Sequence, residues 1–168
     1  MTIMRERRRS PMTGLAVAGA VIVILAVVTA VLVVAVTRSG GPVDEFEQAA
    51  EQFHSRYEPL ARQLETNLDR AGAGMFDPGL ATAQQDARAL ADLFDEYGTA
   101  LAGIEFPADA EPAATQLANA VEAGKVLWVN AAGFFDKGPM ESLIDELRPQ
   151  TEAAIAEREE SLRQALSG

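Results

Sequence analysis

The spacing of apolar residues along this chain changes character once, at Thr37–Pro42. Just before that point apolar side chains follow one another almost without a break. From Leu15 to Val36, a run of 22 residues, Thr29 is the only polar side chain. As a helix, such a run is about 33 Å long, close to the hydrocarbon thickness of a bilayer, about 30 Å. Val and Ile are weak helix formers in water. In lipid the backbone has no other hydrogen-bond partners, which forces the helix. A soluble core helix apolar on every face would need more surrounding protein than 168 residues supply. The run therefore predicts a transmembrane segment at residues 15–36, preceded by a basic arm at 1–14 and followed by a Gly/Pro-containing linker at 37–42.

After the linker the apolar residues become periodic. Phe46, Ala50, Phe53, Tyr57, Leu60, Leu64, Leu68 and Ala71 recur in steps of three and four, one face of a helix. Pro59 falls on the opposite face, with a bend expected near residues 55–58. Asp77-Pro78 supplies an N-cap carboxylate and a proline at the first helical position. Leu80, Ala83, Ala87, Leu90, Phe94, Tyr97, Leu101 and Ile104 then form the second stripe. Phe106-Pro107 and Glu111-Pro112 bracket a turn. The third stripe reads Ala113, Leu117, Ala120, Gly124, Leu127, Ala131 and Phe134, flanked by Val121, Trp128 and Phe135. Residues 136–139 read as a loop. The fourth stripe carries Leu143, Ile144, Leu147, Thr151, Ala154, Ile155, Leu162 and Leu166, and contains Pro149. The predicted fold is all-α: a transmembrane helix followed by an up-down four-helix bundle at residues 43–168. As a hypothesis, the first and fourth helices, each with a proline well inside, lie adjacent and bend together.

Charge gives the span a direction. Residues 1–42 carry Arg5, Arg7, Arg8, Arg9 and Arg38 against Glu6, whereas residues 43–168 carry nine basic and 24 acidic side chains, a net of −15. The arginine cluster before the span predicts a cytoplasmic N-terminus and an extracytoplasmic acidic domain at the plasma membrane. The same layout also describes a cleavable signal peptide, with Ala30 and Ala35 available to a peptidase. The apolar run exceeds the usual 7–15 or so residues of a signal h-region and points to an uncleaved signal anchor. A surface this acidic repels phosphate backbones, which argues against nucleic acid as a partner.

Candidate chemistry is sparse. The chain has no cysteine, so disulfides, thiolate metal sites and cysteine nucleophiles are excluded. Glu51-x-x-His54 has the spacing used in di-iron bundles, but such sites need the motif on two helices and His54 is the sole histidine. His54 therefore reads as a surface residue between Glu51 and Glu58. The acidic groups Asp92/Asp95/Glu96 and Glu157/Glu159/Glu160 read as solvated faces. No catalytic, cofactor or metal residues are assigned, and the chain is not expected to be an enzyme.

One segment exceeds the apolarity that a single helix face needs: Lys125–Phe135. Val126, Trp128, Val129, Asn130, Phe134 and Phe135 form the candidate interaction patch. The expected function is that of an interaction or scaffold module, anchored in the bilayer through residues 15–36 and binding a protein at the outer membrane face. The alternative is a ligand-binding or sensing bundle, with an apolar small-molecule pocket against Trp128 oriented by Asn130.

Overall fold

The computed structural model describes residues 40–72 and 77–168. Among the described residues there are four α-helices and no strand: α1 (Pro42–Arg70), α2 (Pro78–Ala102), α3 (Glu111–Ala132) and α4 (Lys137–Ser167). Together, residues 40–168 form a helical bundle. No helix among them is long and apolar enough to cross a membrane. The predicted basic arm (1–14), the predicted span (15–36) and residues 37–39 of the linker lie outside the described residues.

Local chemistry sets most helix boundaries. α1 opens with Pro42 in its first turn, followed by Asp44 and Glu45, whose charges favour a helix N-terminus. Asp77 caps α2: its carboxylate accepts from the N–H of Gly79 at 2.8 Å and of Leu80 at 3.4 Å. Those backbone donors, led by Gly79 with Gly72 beside it, hold the Asp77 carboxyl below its ordinary range. Pro112 lies in the first turn of α3. The expected loop at 136–139 is corrected. α4 begins at Lys137 and takes in Gly138 and Pro139, because first-turn N–H groups have no intrahelical acceptor and proline loses nothing there. Pro59 and Pro149 stand inside α1 and α4, both on exposed faces, and each helix runs on through its proline.

The four stripes supply most of the core, joined in α4 by Met140. Phe46, Phe53, Tyr57, Leu64 and Leu68 of α1 are buried against Leu80, Leu90, Phe94, Tyr97 and Leu101 of α2, Leu117, Val121, Leu127 and Trp128 of α3, and Met140, Ile144, Ile155 and Leu162 of α4. Leu60 is only partly buried; Ala61 takes the interior position beside it. Consecutive helices pack extensively on one another, whereas the backbones of α1 and α4 approach at few places. Cross-helix bonds run in opposite chain directions. At one end Lys137 Nζ donates to the carbonyl of Ala71, and Gln84 donates to that of Phe134. At the other end Arg163 pairs with Glu47. The start of α1 and the end of α4 therefore share one end of the bundle, and the α3–α4 turn lies at the opposite end.

Close packing of α3 on α2 depends on one missing side chain. A Cβ on Gly124 would stand 2.0 Å from Cε1 of Phe94. That ring cannot swing aside, being held edge-on by Phe53 at 5.0 Å and by Tyr57 at 5.8 Å. Gly124→Ala should therefore destabilise the bundle by about 1–3 kcal/mol in denaturant titration, as overpacking does. Gly138→Ala, with no atom within 4 Å of the added carbon, should leave the midpoint unchanged or slightly raised.

Candidate functional site

The middle of the bundle is an aromatic layer contributed by three helices. Phe53 stacks on Tyr97 at 4.5 Å and on Tyr57 at 5.5 Å, Phe94 meets both α1 rings edge-on, and Tyr57 lies 6.5 Å from Trp128. The fourth helix answers with carboxylates instead of rings. Glu159 receives the Tyr97 hydroxyl at 2.8 Å, and Glu152 receives that of Tyr57 at 2.7 Å. Burial, reinforced by these carboxylates, pushes both phenols above their usual range.

Glu159 is the centre of this arrangement. It is only 3% exposed, although its sequence neighbours Glu157 and Glu160 face solvent. His54 of α1 places Nε2 at 3.0 and 2.9 Å from its two oxygens, and Arg163 stands 3.8 Å away. The bond to Glu159 raises the His54 pKa above 6.5, against opposing desolvation and the Arg163 charge. The imidazole is half open to solvent, with 48% of the side chain exposed. Two expectations are corrected here. Glu159 is not part of a solvated face, and the strong partner of His54 is neither Glu51 nor Glu58 but a residue 105 positions away.

The rest of the α1–α4 seam is also polar. Arg163 binds Glu47 at 2.9 Å and lies 5.5 Å over the Phe46 ring. Arg148 binds Glu152 at 2.6 Å and also reaches Glu65. Between α1 and α2 a second buried carboxylate, Asp86, accepts from the amides of Gln63 and Asn67, each at 2.6 Å. Chemically, the His54–Glu159 pair can take up and release a proton. Among the described residues no hydroxyl is bonded to His54, and no group of three or more acidic or histidine side chains is arranged to hold a metal ion.

The predicted interaction patch divides. Val126 (48% exposed), Val129 (53%) and Phe135 (70%) stand in solvent, as does Asn130. Phe134 is partly buried against the core, its carbonyl held by Gln84. Trp128 does not belong to the patch: it is fully buried, with an indole N–H that has no protein acceptor. The helix turn explains the split, since Val126 and Val129 lie about 100° on either side of Leu127 and Trp128. A shallow groove lined by Arg88, Ala91, Asp92, Val129, Ala132 and Gly133 adjoins the exposed valine. A second, lined by Glu65, Leu68, Ile144, Asp145 and Arg148 among others, follows the α1–α4 seam. Trp128 lines neither.

Comparison with protein-family models, curated proteins and solved structures finds no match to this chain.

The two tyrosine hydroxyls should differ in worth. Tyr97→Phe removes a donor from a carboxylate that is almost fully buried, and bonds to charged groups of that kind contribute about 1.5–3 kcal/mol. Tyr57→Phe removes a donor from Glu152, which is partly exposed and keeps Arg148. In thermal or urea unfolding, Tyr97→Phe should therefore be clearly the more destabilising of the two.

Proposed function

We propose that the chain is a membrane-anchored interaction module. In this reading the apolar run at 15–36 holds it in the plasma membrane, the arginines of the basic arm keep the N-terminus cytoplasmic, and the acidic bundle stands outside the membrane as an up-down four-helix domain. The observation that carries it is the apolar strip Val126, Val129 and Phe135, left in solvent by a domain whose core is otherwise well filled. The strip runs from the middle of α3 to the α3–α4 turn, at the end of the bundle opposite the start of α1. An exposed apolar strip of this kind is suited to a protein partner. Asn130, on the same exposed side, supplies one polar group that can fix the orientation of such a contact.

The ligand-binding reading draws less support. It calls for a pocket against Trp128, and that ring is packed by the core. The two grooves described above are open to solvent, and neither reaches Trp128.

Two experiments test the proposal. In intact spheroplasts, added protease should remove residues 43–168 while the anchor is spared. The undigested protein should keep its full-length mass and stay with the membrane on alkaline extraction. Protection of the acidic domain would overturn the topology, and loss of about 30–35 residues would identify a cleaved signal peptide. For the strip, Val126→Asp and Phe135→Asp should shift stability by no more than about 0.5 kcal/mol, as surface substitutions do. Both should reduce partner recovery in co-purification from native membranes, because a carboxylate buried unpaired at an interface is costly. Unfolding by Val126→Asp, or unchanged recovery with both variants, would remove the strip as the docking surface.

A further inference from the structure

We propose that the α1–α4 seam is a proton-operated latch. Cationic His54 of α1 closes on the buried carboxylate of Glu159 in α4. Loss of its proton loosens the half of the bundle that holds the start of α1 and the end of α4.

The seam differs from the other helix contacts. Backbone approach between α1 and α4 is sparse, so side chains bridge it: Glu47–Arg163, His54–Glu159, Tyr57–Glu152 and Glu65–Arg148. Of these bridges only His54–Glu159 contains a group that changes charge near neutral pH. Arginine and tyrosine ordinarily titrate well above that range.

The surroundings of the pair give it leverage. Glu159 is out of water, where an uncompensated charge is expensive. Facing it are His54 from α1, the Tyr97 hydroxyl from α2, and Arg163 on its own helix at 3.8 Å, itself engaged with Glu47. Facing His54 are Glu159 and Arg163 from α4, Glu58 on its own helix, and the edge of the Phe53 ring at 5.2 Å. The carboxylates outweigh the arginine, and the half-exposed imidazole exchanges its proton with solvent. The sign follows. The folded-state pKa of His54 lies above 6.5, so its contribution is complete below 6.5 and is lost as pH rises through the folded-state value. Above it, Glu159 retains the Tyr97 hydroxyl, a neutral imidazole N–H and a more distant arginine.

The two interior prolines mark where loosening stops. Tyr57–Glu152 and Glu65–Arg148 are bonded pairs. Pro59 lies between the α1 members of these pairs and Pro149 between the α4 members, so the prolines share one level of the seam. Each proline removes a backbone hydrogen bond from its helix there. His54–Glu159 and Glu47–Arg163 lie on one side of that level, Glu65–Arg148 on the other. Residues 42–58 and 150–167 are thus the segments that the latch holds.

The test uses the full chain in detergent micelles. His54 is the only histidine, so its ring gives a single titrating resonance in a carbon-13 histidine spectrum. The midpoint should lie above 6.5, and Glu159→Gln should bring it down. Amide exchange, corrected for intrinsic rate, should then be followed from about pH 6 to about pH 9. Protection in residues 42–58 and 150–167 should fall with rising pH more than in α2 and α3. The fall should be about tenfold for each pH unit by which the His54 midpoint exceeds 6.5. His54→Gln should abolish this dependence. The latch is refuted by a midpoint at or below 6.5, by an unmoved midpoint in Glu159→Gln, or by the same pH dependence in His54→Gln. If His54→Gln does not fold, the resonance shift in Glu159→Gln together with wild-type exchange decides the matter.

Discussion

A carboxylate removed from water must be given hydrogen bonds and a counter-charge, and Glu159 imposes that requirement on the middle of this bundle. Its position explains why α2 carries a tyrosine at 97, why α1 carries its histidine at 54, and why Arg163 sits one turn along α4. Three helices meet at one side chain. The aromatic layer is arranged around the same need: Phe53 stacks on the tyrosine that donates to Glu159 and meets edge-on the histidine bonded to it. Replacing the carboxylate by an apolar residue would take from the Tyr97 hydroxyl and the His54 imidazole the partner they share. Such polar links bring less net stability than an oily contact, but they fix which residues face one another.

That trade distinguishes the sides of the bundle. The α1–α2, α2–α3 and α3–α4 contacts are close and largely apolar, with Gly124 admitting the Phe94 ring as the extreme case and Asp86, bonded by Gln63 and Asn67, as the buried polar exception. Their geometry is set by shape. The α1–α4 contact is set by pairing of charges and hydroxyls along two antiparallel helices, where each bond also specifies register. A slip of one turn would misplace Arg163, His54, Tyr57 and Arg148 together.

The four stripes were legible in the sequence because burial repeats every three to four residues, and nearly every stripe residue of α1 and α2 is interior. Asp77-Pro78 announced its helix through capping chemistry that acts locally. What the sequence concealed were polar residues on those same stripes. In α4 the apolar pattern steps from Ile155 to Leu162, a gap of seven whose midpoint on the helix face is Glu159. The gap was the signal, and reading Glu157, Glu159 and Glu160 together as a solvated face passed over it. Asp86 is the parallel case on α2, one step after Ala83. Neither partner set can be found from local spacing, because Tyr97 and His54 lie 62 and 105 residues from Glu159. At the patch, apolarity alone did not separate Trp128 from its exposed neighbours. Rotation about the helix did, and the orientation of α3 is fixed only by what packs against it.

The placement of the bundle's two ends has a mechanical consequence. The chain enters at the start of α1, while Phe135 projects from the opposite end, most of a helix length away. Tension applied between those points runs parallel to the helix axes. It loads the seam in shear, so that Glu47–Arg163, His54–Glu159, Tyr57–Glu152 and Glu65–Arg148 share the force instead of peeling apart one after another. Pulling sideways on the end of α4 would instead meet the links singly, beginning with Arg163. The same set of contacts is thus stiff along one direction and weak across it.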